Sequence, residues 1–355
     1  MALPLFTIPS IDRSAMASAA ARWDSLTKPQ GSLGRLEALG VRIAGMTAQS
    51  MPQTGRKVIF TVAADHGVAA EGVSAFPQSV TAQMVLNFLR GGAGINVLAR
   101  HAGAEVVVVD AGVAGEPLSA PGLVSRRVRP GTANFVQERA MTRDEAEQSI
   151  KNGMQIFRDA HWKSRIELLG LGDMGIGNTT SSSAITALLT GRPVNSVTGR
   201  GTGVDDEHLS RKTALIEQAI RLHHPDPEDG LDVLSKVGGL EIGCLAGIAL
   251  AAAETRVPVV LDGFITTAAA LIAWKINPAV KEYFIASHRS VEPGHRAALQ
   301  ALELEPLLDL SLRLGEGTGA ALAFGVIDAS LKLLSEMATF GEAGVDEKEE
   351  KEPAI

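Results

Sequence analysis

Glu316 stands between glycines in Leu314-Gly315-Glu316-Gly317-Thr318-Gly319-Ala320, at the opening of a long apolar run. A helix start carries unpaired backbone N–H groups and a positive dipole end, which favour an ionised carboxylate. A carboxylate offered on a glycine turn can serve as a general base, or simply cap the helix. A second segment, ELLGLGDMGIGNTT (Glu167–Thr180), contains G-x-G-x-x-G at Gly170, Gly172 and Gly175. A dinucleotide fingerprint needs an acid about 20 residues later to hold a ribose. The region concerned reads LLTGRPVNSVTGRGTG and has none. The residues Asn178, Thr179, Thr180, Ser181, Ser182 and Ser183 instead join a helix N-terminus to a run of hydroxyls. That arrangement suits one phosphate or ribose, with a capped polar first turn as the alternative.

A third segment, Gly199-Arg200-Gly201-Thr202-Gly203, precedes Lys212 on the next helical stretch. Glycines let backbone amides approach an anion and lysine adds a point charge, unless this is a flexible loop with a solvated lysine. No G-x-x-x-x-G-K-[ST] is present, which excludes a P-loop nucleotidase by pattern. Asp65, His66, Asp262, His288 and His295 raise the alternative of a metal-dependent hydrolase, but no tight H-x-x-x-H pair accompanies them.

The elements that must position these groups alternate. Apolar runs at Lys57–Ala63, Ala104–Asp110, Arg165–Leu171, Val257–Asp262 and Glu282–Ser287 read as strands buried on both faces. Helical patterns cover Val80–His101, Arg143–Ala160, Thr179–Leu189, Glu207–His223, Leu240–Glu254 and Ile265–Trp274. Alternation implies an α/β fold, an open parallel sheet with helices on both faces (Rossmann-like), with polar signatures gathered outside the C-terminal strand ends. Ser14–Gln49 and Leu307–Met337 look helical without strands, predicting a small helical domain made from the two chain ends. The boundaries drawn from this are 50–300 for the catalytic domain, 1–49 and 301–340 for the helical one, and 341–355 for an acidic, disordered tail.

With 355 residues, 45% hydrophobic and 21% charged, the chain can bury a large core. Its net charge of −7 offers no basic surface for nucleic acid. Cys244 is the single cysteine and lies in an apolar stretch, so no intrachain disulfide forms. The start MALPLFTIPS has no basic region before an apolar core, and Ile242–Ala253 is shorter than the roughly 20 residues a bilayer span requires. The expectation is a cytoplasmic protein without membrane contact.

Taken together, KPQGSLGRLE (Lys28–Glu37), ADHGVAAEGVSAFPQSVTAQMV (Ala64–Val85), GGAGINVLAR (Gly91–Arg100), GDMGIGNTTSSSAI (Gly172–Ile185), GRGTGVDD (Gly199–Asp206), LDGFITTAAAL (Leu261–Leu271), SHRSVEPGH (Ser287–His295) and LRLGEGTGAALA (Leu312–Ala323) resemble one family in this order. It is the nicotinate-nucleotide:dimethylbenzimidazole phosphoribosyltransferase family of cobalamin lower-ligand synthesis, and the resemblance runs from about Ser25 to Leu334. It implies transfer of the 5-phosphoribosyl group of nicotinate mononucleotide to 5,6-dimethylbenzimidazole, giving α-ribazole 5′-phosphate and nicotinate with inversion at C1′, without cofactor or metal, by a homodimer.

The resemblance also implies roles. Glu316 is the base that takes the benzimidazole proton. Gly175, Gly177, Asn178, Thr179 and Thr180 hold ribose and phosphate. Gly201, Thr202, Gly203, Lys212 and Ser290 complete the anion site. Phe76, Met84, Met174, Asp173 and Leu314 lie against the base. The family commonly carries Glu where this chain has Asp173, one methylene shorter, which bears on which base is accepted. Two competing readings remain: a mononucleotide sensor indifferent to Glu316, and a phosphohydrolase with Asp65 and His66 as metal ligands.

Overall fold

A computed structural model describes residues 6–201, 203 and 205–346. Six strands form one sheet: β1 (Lys57–Ala64), β2 (Ala104–Gly112), β3 (Leu123–Ser125), β4 (Leu168–Met174), β5 (Val259–Leu261) and β6 (Phe284–Ala286). Their order is β3-β2-β1-β4-β5-β6, all parallel. The chain lays strands outward on one side of β1, then returns to the other side with β4. That reversal opens a crevice beyond the C-terminal ends of β1 and β4. β1 sits between β2 and β4, with Phe60 paired to Val107 on one side and Leu171 on the other. Its near-continuous burial explains why its sequence is apolar without alternation.

The helices at Arg143–Lys163 and Leu240–Glu254 pack closely because glycines face the contact. A Cβ on Gly153 would lie 2.0 Å from the Cys244 carbonyl oxygen, and one on Gly247 2.0 Å from that of Ile150. Cys244 is fully buried there, and burial pushes its thiol pKa up, so it is a core side chain rather than a nucleophile.

Two compact units result, one from Met1–Pro9 and Gly55–Phe324, the other from Ser10–Thr54 and Gly325–Ile355. The second packs Ala19, Trp23, Leu26, Ala44 and Leu334 into a small core. Arg22 donates to the carbonyls of Leu334 (2.7 Å) and Met337 (3.2 Å), satisfying the end of the helix Thr318–Glu336. Lys28 and Glu37 form a 2.8 Å ion pair beneath the Trp23 ring. Burial works against the Glu37 carboxylate, but Lys28 and the Leu33 N–H hold its pKa below the ordinary value. The Thr318–Glu336 helix is long and apolar enough to cross a membrane, yet 56% of its apolar window is buried, as in a core helix.

Several boundaries differ from expectation. Residues 301–324, placed with the helical domain, belong to the sheet unit. Residues 307–317 are not helical: Leu307 and Leu308 donate to the carbonyls of Ala286 and Ser287, and Arg289 donates to that of Leu308, so the chain pairs briefly beside the end of β6 before continuing as loop and turn. The stretch Val80–His101 is two helices, Ser79–Arg90 and Gly94–Ala102, broken at Gly91 with φ +79. The strand Leu123–Ser125 and the helices Val194–Val197, Gly230–Val237 and Pro293–Ala301 were not anticipated. Of the expected disordered tail, Phe340–Ala343 is a helical turn capped by Thr339, and 347–355 lie outside the described residues.

Replacing Gly153 with alanine drives a methyl into the Cys244 carbonyl. The expected loss is about 1–3 kcal/mol, read as a lower urea midpoint, with the equivalent change at exposed, unobstructed Gly341 causing much less.

Candidate active site

The carboxylate of Asp262, just past β5, accepts three backbone N–H bonds, from Gly317 (3.0 Å), Gly319 (2.6 Å) and Ala320 (3.2 Å). These are donors that the start of the helix Thr318–Glu336 would otherwise leave unpaired. The pinned turn has positive φ at Gly315 (+80), Glu316 (+64) and Gly317 (+99). Glycine adopts this region freely, whereas at Glu316 it costs roughly 1–2 kcal/mol. Two further contacts hold the strained residue. Thr61 of β1 donates to the Glu316 carbonyl (2.9 Å), and Gly172 of β4 leaves room for it, since a Cβ there would lie 2.2 Å from that oxygen.

The Glu316 side chain reaches the N-terminus of the helix Gly94–Ala102, where Oε2 accepts from the Ile95 N–H at 3.1 Å. Burial raises its pKa above the ordinary value and the Ile95 N–H opposes the rise. A carboxylate tuned upward in this way suits proton abstraction near neutrality. Burial also pushes Asp262 up to about 7, against its three N–H partners, with Glu316 adding to the rise. Asp173 accepts from Asn178 Nδ2 at 2.9 Å. Burial raises its pKa well above the ordinary range, and Asp262, Glu241 and Glu316 push the same way. Of these acids, Asp173 is the one whose ionised form burial and the neighbouring acids disfavour most.

Around Glu316 opens a cavity of about 420 Å³. Its lining includes Phe76, Met84, Met174, Leu314 and Asp173, together with Gly175, Asn178, Thr179, Gly201 and Ser290. Lys212 stands one bond behind the wall, its Nζ donating to Thr179 Oγ1 (2.8 Å) and the Gly199 carbonyl (3.3 Å). Burial lowers its pKa to about 8, and Glu292 works against that. Glu292 accepts the Gly201 N–H at 3.0 Å through Oε1, while its buried Oε2 has no partner. Ser290 is set by His295, whose Nδ1 accepts the Ser290 N–H at 3.0 Å. Burial, then the neighbouring His288, lowers the His295 pKa to about 3, so it is a neutral imidazole.

Not every expected residue reaches the cavity. Gly177, with φ +98, forms the turn before the helix Asn178–Thr190, and Thr180 is wholly buried; neither lines it. Gly203 lines a neighbouring cavity of about 480 Å³, and Thr202 lies outside the described residues. The residues suggested as metal ligands are occupied separately. Asp65 accepts from Thr81 Oγ1 (2.7 Å) and the Ala114 N–H (2.8 Å), while His66 bridges Ser181 (2.9 Å) and Glu241 (2.6 Å). Among the described residues no group of three or more His, Cys, Asp or Glu is placed to hold a metal ion. Phe264, Ile265, Glu292 and Arg313 line the cavity without having been singled out. All sit in or beside the strand-end segments, which was the available signal.

A family model described as phosphoribosyltransferase matches residues 8–345. The nicotinate-nucleotide–dimethylbenzimidazole phosphoribosyltransferase of a Roseiflexus species is 60% identical over 343 residues, 97% of each chain. That of Geobacter sulfurreducens is 55% identical over 343 residues, again 97% of each. A crystal structure of the Thermus thermophilus enzyme of the same name superposes with a TM-score of 0.90 at 49% identity, covering 95% of this chain and 100% of that one.

The neutral state of buried His295 makes a signed prediction. Its folded pKa lies below the unfolded one, so its contribution to stability is present above about 6.5 and is lost as pH falls toward 3. Relative to His295→Asn, the wild type is expected to lose about 1.4 kcal/mol per pH unit below that point. Urea midpoints of both proteins at neutral and mildly acidic pH check this.

Proposed function

The chain belongs to the nicotinate-nucleotide–dimethylbenzimidazole phosphoribosyltransferase family, and we propose that it transfers the 5-phosphoribosyl group of nicotinate mononucleotide to 5,6-dimethylbenzimidazole. The products are α-ribazole 5′-phosphate and nicotinate, formed with inversion at C1′. The observation that carries the mechanism is Glu316, a buried carboxylate on a strained turn, held at its backbone by Thr61 and at its side chain by the Ile95 N–H, and facing the cavity.

One benzimidazole nitrogen attacks C1′ while Glu316 takes the proton from the other. The bond from C1′ to the pyridinium breaks, and its electron pair returns to the ring nitrogen. The leaving group departs as a neutral ring with its carboxylate, so no proton has to be delivered to it. Phe76, Met84, Met174 and Leu314 supply aromatic and flexible apolar surface for a planar base. Asp173, whose ionised form burial disfavours, is held by Asn178 Nδ2 beside that slot. Being shorter than glutamate, it leaves room that bears on which base is preferred.

The 5′-phosphate is assigned to Gly175, Asn178, Thr179, Gly201 and Ser290, with Lys212 behind Thr179. Gly177 and Thr180 shape this wall from behind rather than touching the ligand. A cytoplasmic homodimer belongs to the same proposal. Phe76 and Leu314 support it, being 52% and 61% exposed at the cavity in the single chain.

The test is Glu316→Gln, which keeps an acceptor for the Ile95 N–H and removes the base. Chromatography of reactions containing both substrates and chelator should show kcat lower by about 10²–10⁴-fold, with KM for nicotinate mononucleotide little changed. Unimpaired turnover in the variant would sink the assignment of Glu316. A wild type making no riboside would sink the transfer itself.

A further inference from the structure

Resting on that reading, the donor nucleotide has two anionic groups, a phosphate and a ring carboxylate. Lys212 and the helix start at Asn178 account for the phosphate. Among the residues lining the catalytic cavity, Arg313 is the one permanently charged cation. It is exposed, with no ion pair or hydrogen bond to any described residue. It lines both the catalytic cavity and its neighbour, and the two share Gly201, Glu292 and Arg313 at their junction. Three residues along the chain is Glu316, on the pinned turn. The backbone that carries Arg313 therefore leads directly into the turn that carries the base. Its planar fork matches a carboxylate.

We infer that Arg313 recognises the ring carboxylate of the donor and selects nicotinate over nicotinamide nucleotides. The bound donor ring is a zwitterion, with a cationic nitrogen balancing its carboxylate. When the C1′–N bond breaks, the electron pair moves onto that nitrogen and the departing ring becomes a net anion. A cation beside it therefore interacts more strongly as the bond breaks than in the ground state, which lowers the barrier as well as favouring binding. The amide analogue carries no such charge and leaves as a neutral ring. The benzimidazole proton still goes to Glu316, so the two residues serve opposite ends of one displacement. Arg313 sets which leaving group is accepted and Glu316 activates the incoming base.

The experiment compares nicotinate mononucleotide with nicotinamide mononucleotide as donors for wild type, Arg313→Ala and Arg313→Lys, measuring kcat/KM by product chromatography and Kd by calorimetry. Wild type should favour the acid nucleotide by at least about tenfold. Arg313→Ala should reduce that selectivity by about ten- to a hundredfold, through the acid nucleotide alone, leaving kcat/KM for the amide within about twofold. Arg313→Lys should retain part of it as a point charge. Equal losses for both nucleotides, unchanged selectivity, or a wild type that does not discriminate overturns the inference while leaving phosphoribosyl transfer intact. A wild type that uses neither donor overturns both.

Discussion

Much of the catalytic centre depends on one carboxylate gathering three backbone N–H groups. Asp262 closes β5 and, through Gly317, Gly319 and Ala320, fixes where the helix Thr318–Glu336 begins. The turn before that helix must then pass over the ends of β1 and β4, where Thr61 and Gly172 receive the Glu316 carbonyl. Glycines at 315 and 317 are required on either side because both take positive φ. Glu316 itself accepts a strained conformation there, and the surrounding hydrogen bonds outweigh a strain of roughly 1–2 kcal/mol. The strain places its carboxylate at the cavity and at the N-terminus of a second helix, Gly94–Ala102.

The same arrangement divides the acids by role. Asp173, Asp262 and Glu316 are close enough that each raises the charge cost of another. Like charges in a dry site do not all ionise. Asp262, with three donors, is best furnished as an anion. Asp173 has one amide partner and is the most disfavoured as one. Glu316 has one backbone donor and an open face, and burial raises its pKa against the Ile95 N–H. Three carboxyl groups in one dry site thus differ in environment, with three backbone N–H donors on Asp262 and one N–H donor each on Asp173 and Glu316.

Much of this was legible in the chain. The five principal strands, the parallel order and the gathering of glycine-rich segments at strand ends followed from apolar runs alternating with helical patterns. Glu316 was visible because a carboxylate between glycines before an apolar helix is an uncommon pattern. Other features needed the fold. The segment 307–317 has a helical reading in the sequence, yet it pairs with the end of β6 only at Leu307 and Leu308 and then turns through positive φ at Ser311, Gly315 and Glu316, which no local pattern announces. The resemblance implies ligand contacts for Gly177 and Thr180, but successive residues of a helix point different ways, and only Asn178 and Thr179 of that first turn line the cavity. Glu292 and Arg313 lie within quoted segments, but nothing local marks either as a site residue. Their meaning comes from the fold, which brings the segment after β6 beside the loop containing Gly201.

The phosphate end poses the opposite electrostatic problem. Lys212 is buried behind the wall with a pKa near 8, and its ammonium is expensive to keep there alone. Glu292 offsets that cost at a distance while spending one oxygen on the Gly201 N–H and leaving the other unpaired. Neither group is fully satisfied by the protein. A phosphate dianion arriving against Thr179 and Gly201 would give the lysine a stronger partner and relieve it of dependence on Glu292. Incomplete pairing inside the protein thereby becomes affinity for a ligand that completes it, since a cation already saturated by a direct salt bridge would have to give that bond up first. Among the described contacts Lys212 and Glu292 make no direct bond although both are buried, which is the feature on which the proposed phosphate site rests.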